Sequence, residues 1–273
     1  MTSPIDLGQH ALGLPVSLGP LSEVLNPLGR PGSGRSEFSF LDRAPGYTIL
    51  DHHSLASREA QPTGRIAMKR IALEPASVLH PHPVLIIGSY DADGKPNIMN
   101  AAWGGVCCSD PPCVSVSLRA ATLTYHNIMR AEAFTVGIPS ERHVTEADYV
   151  GLVSGRDHDK FRETGLTPVK SEKVNAPLVA EFPFSLECRL LEHHKLGLHT
   201  LFIGEVVGIQ ADEDVLSPRG LPDIEKTKAM LWGGFGNNHY FSVGAKLAPA
   251  FSVGRKIRSA NAGKTSATNQ EKV

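Results

Sequence analysis

Short runs in which apolar residues alternate with polar ones recur from residue 82 to residue 256, and they predict a protein built mainly of β-strands. In one such run Val114, Val116 and Leu118 alternate with serine. Alternation with a period of two is typical of a strand with one buried face, and a continuous β-branched run is typical of a fully buried strand. The predicted strands are residues 84–90, 98–104, 113–118, 134–138, 184–191, 200–210, 241–243 and 251–253.

Turn and helix signals separate these strands. Residues 91–94 read Asp-Ala-Asp-Gly, which predicts the turn of a hairpin, and the Asp-Pro-Pro sequence at 110–112 predicts a loop. Two helices are predicted, at 122–133 with Thr122 as N-cap and at 140–153. The strand–helix–strand rhythm of a parallel sheet is missing. The pattern therefore favours a closed or partly closed antiparallel barrel, mainly β with inserted helices.

The pattern also divides the chain into three parts. Residues 1–67 hold 15 glycines and prolines and show no sustained period, so we predict a mostly disordered N-terminal extension there. Translation that truly begins near Met68 and a flexible arm for a partner are the two explanations left open for this segment. Residues 68–256 form the predicted folded domain, and residues 257–273 form a flexible basic tail.

Composition and charge exclude several classes of protein. The chain has 27 basic and 28 acidic residues and a net charge of −1, so nothing favours nucleic-acid binding. Its longest apolar run, 83–88, is far shorter than the roughly 18 residues that a membrane span needs. The four cysteines contain no CxxC motif, and we expect reduced thiols in a cytoplasmic protein.

Four polar or reactive residues carry their own expectations. The adjacent Cys107 and Cys108 could be a redox pair or could pack in the core. Core packing is favoured, because a disulfide between neighbouring cysteines closes a strained ring and cysteine is often buried. Glu187 and Glu205 are expected to face solvent or a partner.

The sequence offers few catalytic motifs. It contains no P-loop, no Rossmann glycine fingerprint, no GxSxG and no HExxH, and the histidine pair at 193–194 lacks the spacing of a zinc site, so no metal is expected. Hydroxyls and a guanidinium at the end of strand 113–118 and the start of helix 122–133 could bind a phosphate; a polar strand face before a capped helix is the alternative. These residues are Ser115, Ser117, Arg119, Thr122 and Thr124.

Two further stretches have both a functional and a structural interpretation. Small residues at 97–105 would let a flat ring approach the backbone, with Trp103 as an aromatic wall, unless Trp103 is simply a core residue. Residues 154–161 hold five charged or titratable groups and are either part of a site or a solvated loop.

Longer runs at 88–97, 101–105, 107–112 and 151–161 carry a family resemblance. Over about residues 82–256 the chain resembles the flavoredoxins of the flavin reductase-like FMN-binding split-barrel family. The resemblance implies a six-stranded Greek-key split β-barrel and a homodimer with one FMN per subunit at or near the dimer interface. It further implies an oxidoreductase that passes electrons from NAD(P)H through FMN to flavin, ferric or protein acceptors. A non-catalytic FMN electron carrier and an FMN-less scaffold are the alternatives.

The resemblance also implies the positions of the FMN-binding residues. Those along the flavin ring are Met99, Asn100, Ala101, Ala102 and Trp103. Those at the ring edge and phosphate are Ser117, Leu118, Arg119, Thr122, Thr124 and Asn127, and a second loop adds Ser154, Arg156 and Lys160 near the phosphate and ribityl chain. His199 is expected near the nicotinamide. Asn100 departs from the small hydroxyl residue expected in relatives. No side-chain acid or base is expected, because hydride transfer is carried out by the flavin N5.

Overall fold

The structure, a computed structural model, describes residues 69–257. The predicted extension 1–67 and all of the predicted basic tail except Ile257 lie outside the described residues. The strands are β1 (His82–Pro83), β2 (Leu85–Tyr90), β3 (Pro96–Ala101), β4 (Gly104–Ser109), β5 (Pro112–Arg119), β6 (Ala133–Ile138), β7 (Pro168–Lys170), β8 (Pro177–Val179), β9 (Phe184–Leu196), β10 (His199–Ala211), β11 (Met230–Trp232) and β12 (Tyr240–Ser242). The α-helices are α1 (Leu123–Ala131), α2 (Val144–Leu152), α3 (Lys160–Thr164) and α4 (Ile224–Thr227), and short 3₁₀ helices cover Glu141–His143 and Glu213–Val215.

A seven-stranded sheet dominates the fold, with the strand order β3-β2-β6-β9-β10-β5-β4. It has one strand more than the resemblance implied. Two small sheets, β1-β11-β12 and β7-β8, complete the described part. Every strand pair among residues 69–257 is antiparallel. The mainly β, antiparallel architecture predicted from the sequence is therefore confirmed.

The sheet buries apolar residues on both faces. On β2, Leu85 and Ile87 join a core around Phe134 and Phe202, whereas Ile86 joins a second core beneath α2 and α3. The ring of Phe134 packs over Gly204, where an added Cβ would lie 2.5 Å from the ring. The two cores fix the sheet between the helices and the barrel interior, and so fix the positions of the strand ends.

The predicted elements are mostly present, with differences at two places. The hairpin turn at 91–94 joins β2 to β3, and Thr122 caps α1. The predicted strand 98–104 is instead two strands, because the chain leaves β3 after Ala101 and pairs β4 with β5. The predicted strand 251–253 is wrong: it is a helical turn in which the Val253 amide donates to the Pro249 carbonyl.

One expectation about burial is also wrong. Cys107 and Cys108 are exposed, because β4 is the edge strand of the sheet and nothing among the described residues covers it. Glu187 is fully buried on β9, where its carboxylate accepts hydrogen bonds from Ser171 Oγ (2.5 Å) and Gln210 Nε2 (3.3 Å). Glu187 therefore faces hydrogen-bond partners inside the protein, which agrees with the expectation that it faces solvent or a partner. Glu205 forms an ion pair with Arg189, as expected of a residue facing a partner.

Candidate functional site

The start of α1 is the centre of the candidate site. The Thr122 hydroxyl donates to the Arg119 carbonyl (2.9 Å) and accepts from the Tyr125 amide (3.2 Å), which fixes the helix to the end of β5. A helix leaves its first N–H groups without intrahelical acceptors, and these groups favour an anion. The first turn of α1 carries no acidic residue. This end of the helix is therefore electrostatically suited to a phosphate.

A loop from a distant part of the sequence packs against the same helix end. Arg156 Nη1 donates to the Ala121 carbonyl at 2.7 Å, and the Arg156 amide donates to Ser154 Oγ at 3.2 Å. Between them, Gly155 lies so close to Asn97 that an added Cβ would be 2.0 Å from Asn97 Oδ1. The predicted residues Ser154 and Arg156 are thereby brought to the start of α1.

Two buried amides hold the underside of α1. Asn97 Nδ2 donates to Thr124 Oγ1 (2.9 Å), and Asn127 Nδ2 donates to Ser89 Oγ (3.1 Å). Thr124 and Asn127 are each only 1% exposed. The structure therefore gives these two predicted ligands a supporting role, since their side chains join α1 to β2 and β3. Asn97 was not predicted, although a buried asparagine beneath a capped helix is a recognisable signal.

Aromatic rings lie beside the end of β5. The Trp103 ring is half-buried and stands 4.6 Å from the His199 ring, centroid to centroid, and His199 pairs in register with Arg119. Burial, and then the Arg119 charge, lowers the pKa of His199 below its usual value. Trp103 is also held through its backbone, because its carbonyl accepts from the Ser117 amide at 2.8 Å. The predicted residues Trp103, Ser117, Arg119 and His199 thus lie together.

A loop residue that sequence reasoning missed completes this aromatic group. Phe235 is 55% exposed, and its ring meets those of Trp103 (6.3 Å) and Trp232 (5.3 Å) edge to face. It lies between Gly234 and Gly236, whose φ angles are +75° and +103°. The glycine-rich sequence around a single phenylalanine is the signal that could have identified it.

The predicted ring-binding stretch on β3 is divided between two faces. Met99 and Ala101 pack into the barrel core, whereas the Asn100 side chain points to α2 and donates to the Ala147 carbonyl (2.9 Å) and to Tyr240 Oη (3.4 Å). Leu118, on β5, is likewise a core residue, with 1% exposure. Any contact of Leu118 with a ligand therefore falls to its backbone.

The predicted ligand Lys160 points to α2 and not to the start of α1. It is 5% exposed, and its ammonium group donates to the Val150 carbonyl of α2 at 2.7 Å. Burial lowers the pKa of Lys160 to about 8. Its side chain closes the end of α2 instead of reaching toward α1.

The described range lacks both metal-binding clusters and membrane-spanning helices. Residues 69–257 contain no group of three or more His, Cys, Asp or Glu placed to hold a metal ion. No helix in this range is long and apolar enough to cross a membrane.

Comparisons with known proteins agree with this fold. Residues 77–233 match the family model of the flavin reductase like domain. The chain is similar to the flavoredoxin of Desulfovibrio vulgaris (Miyazaki F), with 45% identity and a TM-score of 0.65 over 68% of this chain and 100% of that chain. It is also similar to the flavoredoxin from Methanosarcina acetivorans, with 29% identity and a TM-score of 0.64 over 69% of this chain and 99% of that one.

The chain also has a similar curated relative. The uncharacterized protein YddH of Escherichia coli (strain K12) is 37% identical over 150 residues, which is 53% of this chain and 79% of that protein. Together the matches confirm the resemblance found in the sequence, the split-barrel fold class and the predicted flavin cofactor. The chain therefore belongs to the flavin reductase-like domain family.

Proposed function

We propose that this protein is a homodimeric, FMN-dependent oxidoreductase that passes electrons from NAD(P)H through FMN to a flavin, ferric or protein acceptor. One observation carries the proposal: the loop around Arg156 and the end of β5 at Arg119 meet at the acid-free start of α1, next to the rings of Trp103 and His199. A basic group, Arg119 and Arg156, thus lies beside an aromatic group, Trp103 and His199. These groups are called the phosphate end and the aromatic end of the proposed site.

The phosphate end fits the phosphate of FMN in charge and in donors. Arg156 is held at the helix start by its bond to the Ala121 carbonyl, and Arg119 stands three residues before the N-cap. Guanidinium groups form charged hydrogen bonds with phosphate oxygens, each contributing roughly 1.5–3 kcal/mol. Ser154, which is exposed on the same loop, adds a hydroxyl.

The aromatic end fits a flat ring. Trp103 and Ala102 are half-buried between β3 and β4, so a planar group could pack against them, while Met99 and Ala101 support this backbone from the core. When bound, FMN supplies the hydride-accepting atom N5, and the chain's residues bind and orient the ring. Since burial and Arg119 keep His199 neutral at neutral pH, His199 can donate or accept a hydrogen bond there without adding charge.

The test begins with the purified full-length protein. We expect it to carry flavin absorbance, FMN to be the compound released on denaturation, and NADH or NADPH to bleach that absorbance without oxygen. A protein that binds no flavin when FMN is added would contradict the whole proposal and favour the scaffold. Bound FMN that neither nucleotide reduces would contradict the NAD(P)H step and favour the electron carrier.

A cytoplasmic setting is part of the same proposal. Its support is the cysteine usage: all four cysteines are free thiols, and two of them are exposed.

A further inference from the structure

Three of the four cysteines lie at one end of the β4–β5 hairpin. Cys108 on β4 stands directly opposite Cys113 on β5, two residues either side of the turn at Asp110 and Pro111. The ladder shifts register between Val106 and Cys108, so Cys107 is the bulged residue and has no cross-strand partner. The hairpin therefore pairs two specific cysteines.

The two paired thiols point toward the same turn. Cys108 Sγ donates to the Asp110 carbonyl and Cys113 Sγ to the Pro111 carbonyl, each at 3.4 Å. Directly opposite residues of an antiparallel pair have Cα atoms about 4.5–5.5 Å apart, and disulfides join residues whose Cα atoms are about 4.4–6.8 Å apart. A small movement of the turn therefore brings the two sulfur atoms within bonding distance.

The other cysteines do not compete for this bond. Cys188 lies on β9, and β10 separates it from β5, so its Cα is about 9–10 Å from that of Cys113. This distance exceeds the roughly 7 Å limit for a disulfide. Cys107 is adjacent to Cys108 in sequence, where a disulfide closes a strained ring.

The pair is also asymmetric in access and in protonation. Cys108 is exposed, whereas Cys113 is 4% exposed. Burial and the neighbouring thiols of Cys108 and Cys107 raise the pKa of Cys113, which keeps it a neutral thiol. An oxidant from solution therefore meets Cys108 first.

We propose that Cys108 and Cys113 form a thiol–disulfide couple that a hydroperoxide oxidises within one chain. The Cys108 thiolate attacks one peroxide oxygen, the O–O bond breaks, and Cys108 becomes a sulfenic acid as one water leaves. The Cys113 sulfur then attacks the Cys108 sulfur, the S–O bond breaks and a second water leaves. In sum, two thiols lose two electrons and two protons, and hydrogen peroxide becomes two waters.

The test uses full-length protein and hydrogen peroxide, and it needs no flavin, so its result is independent of the proposed function. After oxidation, the protein is unfolded, its free thiols are labelled with N-ethylmaleimide, and its mass is measured. The reduced chain takes four labels, one for each cysteine, and we expect a loss of two labels after oxidation. Cleavage before Asp110 separates Cys108 from Cys113, so the two fragments should stay joined until a reductant is added.

Serine variants assign the bond. The Cys107→Ser protein should still lose two N-ethylmaleimide labels after oxidation. The Cys108→Ser protein should form no disulfide, and so should lose no pair of labels. Cys108 is exposed, so its replacement leaves the core unchanged, and this variant decides the result even if Cys113→Ser is unstable. Four labels after oxidation, a bond that Cys107→Ser abolishes, a bond to Cys188 or a bond between two chains would each overturn the proposal.

Discussion

Several polar side chains at the start of α1 are already engaged in holding the fold together. The Thr122 hydroxyl is occupied at both its donor and its acceptor side, and Thr124 is buried against Asn97. Arg156 reaches the same place from a separate loop. The sequence could list these groups, but it could not show which hydroxyls fold the chain, because that depends on contacts between distant segments.

We predict that Arg119→Ala weakens binding of FMN more than binding of riboflavin. Riboflavin lacks the phosphate, and a guanidinium–phosphate contact contributes roughly 1.5–3 kcal/mol, which is about a tenfold to hundredfold change in Kd. Fluorescence titration of both flavins measures the difference. Arg130→Ala is the matched control, because Arg130 lies at the other end of α1 and donates to the Tyr90 carbonyl. Equal losses for the two flavins would show that Arg119 does not serve the phosphate.

A second prediction at this scale concerns the buried Lys160. Burial lowers its pKa from 10.5 to about 8 in the folded protein. Below pH 8 both states are protonated, and the folded state bears the full cost of burying the charge. Between pH 8 and 10.5 only the unfolded state keeps the proton, so the free energy of unfolding rises with pH, by about 3 kcal/mol in total.

Urea unfolding of the wild type and Lys160→Met across this pH window measures the effect. We expect the stability of the wild type relative to the variant to increase as the pH rises. Lys170→Met is the control, because Lys170 is exposed and its variant should show no such trend. A wild type that loses stability relative to Lys160→Met over this window would contradict the buried charge.

At the scale of elements, the alternation of apolar and polar residues predicts only strands that have one buried face. Strand β5 buries Val114, Val116 and Leu118 and was found, whereas β4 is exposed along nearly its whole length and gives no alternating signal. Strands β7, β8 and β11 have three residues each, too few for a sequence pattern, and they are defined by pairing with neighbouring strands. Helix α3 has five residues and is too short for a periodic pattern.

We predict that Gly155→Ala displaces the loop that carries Ser154 and Arg156. The added Cβ would lie 2.0 Å from Asn97 Oδ1, and Asn97 cannot yield easily, because it is 5% exposed and bonded to Thr124. Such overpacking costs roughly 1–3 kcal/mol. Denaturant unfolding and FMN titration should show both lower stability and weaker binding. Gly244→Ala is the control, since its Cβ meets nothing within 4 Å; an unchanged Gly155→Ala protein would mean that the loop does not need this contact.

At the scale of the whole molecule, the candidate site joins segments that are far apart in sequence. Trp103, Arg119, Arg156 and His199 come from different elements, and strand order brings them together. The sequence pattern alone nominated an antiparallel barrel and a phosphate-binding helix start. Their combination into one flavin site came from the family resemblance, because pairing between β5 and β10 joins residues 80 positions apart, such as Arg119 and His199.

Three exposed leucines lie on the β9–β10 hairpin beside His199, where a second subunit could cover them. Leu191, Leu196 and Leu198 are 45%, 61% and 64% exposed, and Leu198 directly precedes His199. In the proposed homodimer, this hairpin and the partner's equivalent surface would bury these leucines and shield the flavin. Dimerisation and FMN affinity would then be thermodynamically linked.

We predict that diluting the protein toward monomer releases flavin, because a ligand held by two subunits stabilises the dimer and depends on it by mass action. Sedimentation with absorbance read at both protein and flavin wavelengths follows the two events together. Leu196→Glu should weaken both dimer and FMN binding by more than about tenfold, since burying an unpaired charge costs several kcal/mol. Leu221→Glu is the matched control, because Leu221 is 59% exposed on a different surface, before α4. A stable monomer that keeps its FMN would overturn the shared site and leave the flavin assignment standing.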